Sequence, residues 1–286
     1  MNLPLVSITI TTKNEEKNIK RCLQSIKKQS YKNIEIIVVD NNSVDKTKNI
    51  ARKFTKKVYN LGPERSAQRN LGMLKKSKGE YLVYLDADMS LSTHLIKNAI
   101  YKLENNRDNL KALYIPEIIV GNSFWSKVRN FERSFYNATS IDAVRIIKSN
   151  IFRKTKGFDE SLTGPEDWDL NKRIKKIGKL GLLAEKKGKI FHHEEFNLLN
   201  YLNKKQYYLK SFSKYIKKWD KNDPDIKKQF NPLYRGLLVF IEKNKWIKIV
   251  KYPFLFAGII WLRFLTGLVF IINNLKTSKK IKLKKN

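Results

Sequence analysis

The sequence predicts an α/β fold built on a doubly wound, mostly parallel sheet with helices packed on its faces. Two observations support this prediction. Between residues 5 and 85, apolar runs rich in β-branched residues alternate with segments of helical spacing, and polar residues follow three of these runs. The length of 286 residues also allows one large domain, or one domain with an appendage.

Strands and helices are predicted to follow one another in turn. A strand over residues 5–11, a helix over 15–28 and a buried strand over 34–39 form a β-α-β unit. A helix, a short strand, a second helix and a buried strand are then predicted over residues 45–54, 57–59, 64–76 and 81–85. This alternation is typical of a parallel sheet whose strands are joined by crossover helices.

Polar residues follow the first, second and fourth predicted strands, at 11–15, 40–43 and 86–88. Ligands of such sheets bind at the carboxyl ends of strands, so these clusters predict one site. Asp86 and Asp88 stand where a buried strand reaches a loop. A divalent cation takes hard oxygen ligands and is often held by one or two carboxylates together with substrate phosphates. Taken alone, the triplet Asp86-Ala87-Asp88 is more typical of a solvated loop than of a metal site.

Composition restricts the partners and the compartment. The chain has 59 Lys and Arg residues against 26 Asp and Glu residues, a formal net charge of +33, which indicates a polyanionic neighbour: nucleic acid or an acidic membrane surface. The single Cys22 excludes an internal disulfide and fits a reducing compartment. The N-terminus runs directly into a strand without a secretory signal, so the catalytic domain is expected to face the cytoplasm.

Five segments carry a resemblance to a known family. They are VSITITTKNEE at 6–16, VVDNNS at 38–43, ERSAQRN at 64–70, LDAD at 85–88 and GPEDWD at 164–169. In this order they resemble glycosyltransferase family 2, across roughly the first two thirds of the chain. The resemblance implies the GT-A fold, a Rossmann-like, mostly parallel sheet flanked by helices, and a nucleotide-diphosphate sugar as donor.

The resemblance also implies which residues contact the donor. Thr11 and Glu15 would form part of the nucleotide pocket, and Asp40 would accept a hydrogen bond from the edge of the base. Asn42 and Arg65 would also face the nucleotide, since a guanidinium suits phosphate oxygens or stacks on a base. For Asp40 and Asn42, turn formation and helix capping are the alternative.

Three basic residues each allow more than one interpretation. The chain departs from the family at Lys13, where an aromatic residue is common, so base stacking there is in question. The ammonium of Lys13 could approach the diphosphate or be solvated. Arg65 and Arg69 are four residues apart on a predicted helix, and one of the two could simply lie at the surface.

For the acidic triplet, the resemblance implies that Asp86 faces the ribose or the sugar of the donor. Asp88 would bind the Mg²⁺ or Mn²⁺ that bridges the phosphates, and the metal would act as a Lewis acid on the departing diphosphate. His192 is a candidate third ligand, because neutral imidazole is a suitable ligand for Mn²⁺. His193 is less suited, since adjacent strand residues point to opposite faces. A surface histidine pair is the alternative.

A second acidic cluster opens a predicted helix. The resemblance implies that Asp167 is the catalytic base of an inverting transfer, with Glu166 as a supporting or acceptor-orienting group and Asp169 as a structural residue. Acidic residues are also favoured in a first helical turn by the helix dipole. Trp168 could stack on a sugar or pack in the core. If the acceptor is a lipid phosphate, Asp167 would only position it.

The chain changes character after residue 196. The predicted organisation is a catalytic domain at 1–196, basic aromatic amphipathic helices at 197–250, and a hydrophobic membrane-associated helix with a polybasic tail at 251–286. Arg263 is the only charge within 252–272, which is long enough to span a bilayer. Lysines on both sides favour a re-entrant or interfacial helix over a single span. A helix packed on the soluble domain is the alternative.

Together these features predict a membrane-associated, metal-dependent, inverting glycosyltransferase at the cytoplasmic face of the cell membrane. Its acceptor would be a membrane lipid, a lipid phosphate or a lipid-linked saccharide. Anionic lipid accounts for the charge, so no nucleic-acid partner is expected. A nucleotidyltransferase acting on a sugar phosphate is one alternative, but it calls for a glycine-rich loop and residues 11–16 contain no glycine. A basic nucleic-acid-binding protein is the other, and it leaves the acidic motifs unexplained.

Overall fold

The computed structural model describes residues 3–105, 108–209 and 211–283, with side chains described up to Val269 and at Ile271. Within these ranges the strands are β1 (Val6–Thr12), β2 (Ile34–Asp40), β3 (Val58–Asn60), β4 (Tyr81–Asp86), β5 (Met89–Leu91), β6 (Ala112–Tyr114), β7 (Glu117–Val120), β8 (Val144–Lys148), β9 (Leu180–Leu182) and β10 (Ile190–His193). They form a seven-stranded sheet in the order β3-β2-β1-β4-β8-β6-β9 and a three-stranded sheet in the order β5-β10-β7.

Helices cover the sheet and form the C-terminal part of the described chain. They are α1 (Ile19–Lys27), α2 (Thr47–Arg52), α3 (Arg65–Asn70), α4 (Leu95–Glu104), α5 (Phe124–Arg133), α6 (Ser149–Lys154), α7 (Glu166–Lys175), α8 (Leu198–Leu209), α9 (Phe212–Trp219), α10 (Pro224–Phe230), α11 (Val239–Ile241), α12 (Trp246–Lys251) and α13 (Pro253–Leu283). The predicted helix over 64–76 is α3 continued by a π-helical segment at Leu71–Lys76. The predicted α/β fold with a mostly parallel sheet is confirmed.

The register of the central strands places the site. β1 pairs in parallel with β2 and with β4, so that Thr12 lies opposite Asp40 and Thr11 lies opposite Asp86. The carboxyl ends of these three strands therefore meet at one edge of the sheet, as the polar clusters predicted. Strand β8 runs antiparallel to its neighbours β4 and β6.

Alternation along the buried strands divides the core into two layers. Val83 and Leu85 of β4 pack with residues of α1 and α4 on one face of the sheet, whereas Leu82 and Tyr84 pack with α6 and α7 on the other. Strands buried on both faces read as continuous apolar runs, which explains why residues 81–85 carry no polar residue facing solvent.

The small sheet delivers a histidine to the acidic triplet. Strand β5 begins directly after Asp88 and pairs antiparallel with β10, with Met89 opposite His192. This pairing brings His192 beside Asp88, although 104 residues separate them in the sequence. His193 points the other way, and its Nε2 lies 2.8 Å from Oγ of Ser90. His192 and His193 thus point to opposite faces of the strand, as predicted for adjacent strand residues.

Close packing of the helix after residue 64 against β1 depends on a glycine. A Cβ at Gly72 would lie 2.3 Å from Cγ2 of Thr9. Gly72→Ala is therefore expected to lower the free energy of unfolding by about 1–3 kcal/mol, the usual cost of overpacking. Urea denaturation measures this loss, and Thr9→Ala in the same chain should recover part of it.

Gly236→Ala is the matched control, because nothing lies within 4 Å of a Cβ at that position. It should be neutral or stabilising, as Gly→Ala changes in exposed helices usually are. Equal losses for the two alanine variants would contradict the role assigned to Gly72.

The C-terminal helices pack on the catalytic part of the chain. Ile259 and Leu262 of α13 are buried against Val128 and Phe135 of the α5 region and against Phe240. Arg263, the charge within the apolar segment, donates from Nη2 to Oε1 of Glu132 at 3.0 Å. In the described part of the chain, none of the helices is both long and apolar enough to cross a membrane. Membrane association of residues 251–286 stays a prediction. The side chains of the polybasic tail are not among those that the structure describes.

Candidate active site

A cavity of about 500 Å³ lies at the carboxyl ends of β1, β2 and β4, between these strands, α3 and α8. This volume is in the range of small-molecule sites, about 300–1,000 Å³. Eight of the residues predicted from the sequence line it: Thr11, Lys13, Glu15, Arg65, Asp86, Asp88, Glu166 and His192. Asp40, Asn42 and Asp167 are not among the lining residues.

Asp86 is held between polar neighbours at the end of β4. Its Oδ1 accepts hydrogen bonds from Oγ1 of Thr11 at 2.9 Å and from Nη2 of Arg69 at 3.3 Å, and Oδ2 lies 3.6 Å from Nη1 of Arg65. Burial alone would raise the pKa of this carboxyl, but Arg69 and Arg65 outweigh it and hold the pKa well below its usual range. Asp86 is therefore ionised and its charge is compensated within the protein.

Arg69 joins the two acidic clusters. Its side chain is nearly fully buried, with Nη2 on Asp86 and Nη1 3.2 Å from Oδ1 of Asp167. The guanidinium carbon lies 4.6 Å from the centre of the Tyr84 ring. Arg65 lines the cavity and the buried Arg69 contacts Asp86 and Asp167, so neither of the two arginines only solvates the surface. Their spacing of four residues on one helix was the signal for a shared face.

Asp88 and His192 form the candidate metal-binding pair. Oδ2 of Asp88 lies 3.0 Å from Nε2 of His192, whereas Oδ1 of Asp88 is buried and has no hydrogen-bond partner among the described residues. Burial alone would lower the pKa of His192, but the Asp88 carboxylate raises it. A free buried carboxylate oxygen beside an imidazole suits Mn²⁺ or Mg²⁺.

The same pair does not complete a coordination shell. In the described chain, no group of three His, Cys, Asp or Glu side chains is placed to hold a metal ion. Magnesium and manganese sites of this kind are commonly finished by water and substrate phosphates. The residues present thus fit a cation that is shared with a diphosphate, rather than one enclosed by the protein.

Glu166 and Asp167 open α7 and differ in their surroundings. Oδ1 of Asp167 accepts from the Tyr84 hydroxyl at 2.8 Å and from Arg69. Glu166 is 3% exposed and lines the cavity, and its Oε2 is buried without a partner among the described residues. Burial and the charge of Asp167 raise the pKa of Glu166. The structure therefore brings both carboxylates to the site, with Glu166 closer to the open space.

The two other residues of this motif are part of the protein core. Asp169 is fully buried and accepts from Nε of Arg173 and Nε1 of Trp219, each at 2.8 Å. Trp168 packs against Phe212 and other aromatic rings. These contacts give Asp169 the structural part predicted for it, and they favour core packing over sugar stacking for Trp168.

Asp40 and Asn42 are placed differently from the prediction. Asp40 is fully buried, and its two oxygens accept from the backbone N–H of Ser43 at 2.7 Å and from the Ser43 hydroxyl at 2.5 Å. Asn42 is exposed and has a φ of 49°, so its side chain leaves the cavity and Asn41 lines it instead. The structure thus shows the alternative of turn formation, and a contact of Asp40 with a base stays a prediction.

Helix α8 contributes residues that the sequence analysis missed. Lys204 and Tyr207 line the cavity, and the hydroxyl of Tyr208 accepts from Nη2 of Arg65 at 2.8 Å. Tyr208 is 143 residues from Arg65 in sequence, and its aromatic spacing indicated only an amphipathic helix. Gly164, with φ of 104°, allows this approach, since a Cβ there would lie 2.8 Å from Tyr208.

A nucleotide-sized cavity on the rim of this sheet, with carboxylates on both sides of Arg69, defines a GT-A type glycosyltransferase. The family model described as Glycosyl transferase family 2 matches residues 7–163. The chain belongs to this family, as its motifs predicted. The alternatives of a nucleotidyltransferase and of a nucleic-acid-binding protein receive no support from this membership.

Known proteins with similar sequence and structure agree with this class. An uncharacterized glycosyltransferase of Rickettsia typhi is 28% identical over 263 residues, which cover 86% of this chain and 82% of that protein. The mannosyltransferase PcManGT of Pyrobaculum calidifontis, solved with GDP-Man and Mn²⁺, has a TM-score of 0.58 at 18% identity and covers 98% of this chain and 81% of its own.

A second solved structure is S. aureus TarS residues 1–349 in complex with UDP-GlcNAc. It has a TM-score of 0.54 at 20% identity and covers 73% of this chain and 66% of its own. At these identities the two solved structures establish the fold. Glycosyltransferase activity follows from the family.

Proposed function

We propose that this glycosyltransferase is metal-dependent and inverting, and that it transfers a sugar from a nucleotide-diphosphate sugar to a lipid phosphate or lipid-linked saccharide at a membrane surface. The observation that carries the proposal is the position of Arg69, which contacts Asp86 through Nη2 and Asp167 through Nη1. The guanidinium of Arg69 therefore contacts both Asp86, predicted for the donor side, and Asp167, predicted for the acceptor side.

The donor side is suited to a nucleoside diphosphate. Arg65 and Lys13 line the cavity near Asp86 and provide cationic groups for phosphate oxygens. Asp88 and His192 would hold Mg²⁺ or Mn²⁺, which when bound neutralises charge on the departing diphosphate. UDP-GlcNAc and GDP-Man in the two similar solved structures support a nucleotide sugar as the donor of this chain.

The acceptor side provides a base. In an inverting transfer the acceptor oxygen forms a bond to the anomeric carbon while the bond from that carbon to the diphosphate breaks. The proton of an acceptor hydroxyl then passes to a carboxylate, here Asp167. The donors that reach Asp167 in the described chain both meet Oδ1, which leaves Oδ2 to accept this proton. Glu166, the next residue before it in the chain, lines the cavity and would orient the acceptor.

A membrane acceptor is supported by the surface of the C-terminal helices. Val250 is 71% exposed and Phe254 is 83% exposed, and they stand among lysines. Further large apolar side chains of this region are also exposed: Leu233, Leu237, Ile241, Trp246, Ile247, Trp261, Phe264 and Ile271. Exposed aromatic and aliphatic groups interspersed with lysine favour binding to an anionic membrane, here proposed as the cytoplasmic face.

The first test is release of nucleoside diphosphate from a panel of nucleotide sugars with Mn²⁺ or Mg²⁺ and a membrane lipid extract. Asp88→Asn removes one anionic ligand without changing side-chain size, and we expect a loss of release of about 100-fold or more. Asp220→Asn is the matched control, because Asp220 is exposed and is not among the lining residues, and it should keep native activity.

Three results are informative. Release with one donor that is lost in Asp88→Asn supports the proposed reaction and identifies the sugar. Equal activity of Asp88→Asn and the native protein would exclude the assigned metal role. Failure of the native protein to bind any nucleotide would overturn the proposed donor class.

A further inference from the structure

Basic side chains converge where α5, α8 and α13 meet. Arg129 of α5, Lys205 of α8 and Arg263 of α13 surround one carboxylate, Glu132. Glu132 accepts from Arg129 and from Arg263, so its two oxygens are each used by a guanidinium. We call Arg129, Lys205 and Arg263 the cation cluster. Its three basic side chains stand against the carboxylate of Glu132.

The cation cluster has donors that nothing in the described chain satisfies. Nε of Arg129 and Nε of Arg263 are buried and have no hydrogen-bond partner there. Within the same residues, Lys205 forms no ion pair, and its ammonium lies 5.2 Å from the centre of the Tyr201 ring. Buried cationic donors without acceptors are costly, so this arrangement favours an incoming anion.

Neighbouring charges do not remove the excess. The negative charge of Glu194 raises the pKa of Arg129. The positive charges of Arg235 and Lys204 lower the pKa of Lys205. Burial and the adjacent Arg129 lower the pKa of Lys205 to about 7, which is what an ammonium without a counter-ion shows. A bound anion would reverse this shift.

The surroundings of the cation cluster are apolar and exposed. Leu198 lies seven residues before Lys205, which puts both on one face of α8, and Leu199 next to it is 70% exposed. On α13, the helix that carries Arg263, Trp261 and Phe264 stack on each other and are 53% and 54% exposed. Cationic donors next to exposed apolar side chains match the boundary between the headgroups and the acyl chains of a bilayer.

We propose that the cation cluster binds the phosphate of an anionic membrane phospholipid, whose acyl chains lie over the exposed apolar residues of α8 and α13. The charge excess selects an anion, and the apolar side chains select one that carries acyl chains. This site rests on the proposed function, because a membrane acceptor requires contact with lipid. It differs from the donor cavity, since none of its three cations lines that cavity.

Sedimentation of the full chain with vesicles tests the proposal. The vesicles contain phosphatidylcholine with or without phosphatidylglycerol, and the variants are Lys205→Gln and the control Lys217→Gln. Lys217 is an exposed lysine of α9 and loses the same charge. Lys205→Gln should weaken binding to phosphatidylglycerol vesicles about fivefold, and Lys217→Gln by less than about twofold. Lys205→Arg, which keeps a cation, should restore most of the binding.

Equal losses in Lys205→Gln and Lys217→Gln would attribute binding to diffuse surface charge and would overturn the proposal. It would also be overturned if inorganic phosphate bound the native protein in a Lys205-dependent way while vesicle binding did not depend on Lys205, because the site would then take free phosphate and not a lipid. Folding is checked by thermal denaturation, where we expect no loss for Lys205→Gln because its ammonium forms no ion pair with the residues that the structure describes.

The outcome can be separated from that of the proposed reaction. Vesicle binding needs no donor, and nucleotide binding needs no vesicle. If the protein releases nucleoside diphosphate normally, but Lys205→Gln weakens vesicle binding no more than Lys217→Gln, the lipid site alone is overturned. If Lys205→Gln weakens vesicle binding more than Lys217→Gln, but the protein releases nucleoside diphosphate from none of the nucleotide sugars, the proposed reaction alone is overturned.

Discussion

Asp167→Asn is expected to lower kcat for sugar transfer to a saccharide hydroxyl by about 10²–10⁴-fold, the usual contribution of a general base. The amide keeps the shape of the side chain and can still accept from Tyr84, but it cannot take the proton of the acceptor hydroxyl. Because the substitution leaves Arg65, Asp88 and His192 in place, the Kd for the nucleoside diphosphate should change little. Steady-state kinetics and calorimetry measure the two quantities.

Glu166→Gln is the matched comparison. As an orienting group, Glu166 should affect KM for the acceptor more than kcat. A larger loss of kcat in Glu166→Gln than in Asp167→Asn would exchange the two roles. The pH profile distinguishes them further, because the pKa of Glu166 is raised. If Glu166 were the base, activity would fall with decreasing pH already above the usual range of a carboxylate.

Arg69→Gln is expected to lower the free energy of unfolding by about 3–5 kcal/mol, the cost of removing one partner from a buried ion pair. The substitution would leave Asp86 and Glu166 with less compensating charge in a buried place, and Asp167 without its guanidinium. Urea denaturation measures the loss, and activity should fall with it. Arg69→Lys should recover only part, because an ammonium cannot reach two carboxylates in the fork geometry.

The control for this prediction is Arg52→Gln, an exposed arginine of α2. Surface substitutions of this kind usually change stability by no more than about 0.5 kcal/mol. The pH dependence gives a second readout. Since Arg69 holds the pKa of Asp86 below its usual range, ionised Asp86 contributes stability that is lost as pH falls through that lowered pKa. Equal stability of Arg69→Gln and Arg52→Gln would contradict the assigned ion pairs.

The sequence was sufficient for the four parallel strands β1–β4 and for one rim of the site, but not for β8, β6 and β9 or for the small sheet. Apolar runs of strand length separated by helical segments specify parallel neighbours, and the polar ends of β1 and β4 then have to meet. Thr11 and Asp86 indeed lie side by side, with a hydrogen bond of 2.9 Å. The π-helical segment after α3 was not predictable, because its apolar spacing resembles that of an α-helix.

Long-range contacts and backbone angles account for what the sequence did not predict. Asn42 has a positive φ and an exposed side chain, a turn conformation that asparagine favours, so the residue type fits a turn as well as a site. Tyr208 meets Arg65 only after the chain has folded. Arg263 is the only charge within the apolar segment 252–272, and the structure pairs it with Glu132 on the catalytic part of the chain. Its charge is thus compatible with a helix that lies against the protein.

The shared position of Arg69 has a consequence for how the site can diverge. Asp86 comes from a strand and Asp167 from a helix 81 residues later, yet both depend on the same guanidinium. Residues that share a partner do not contribute independently, so changes on the two sides are not additive. A relative that acquires a new donor sugar through this rim must therefore adjust its acceptor side as well, and substrate preferences on the two sides are expected to evolve together.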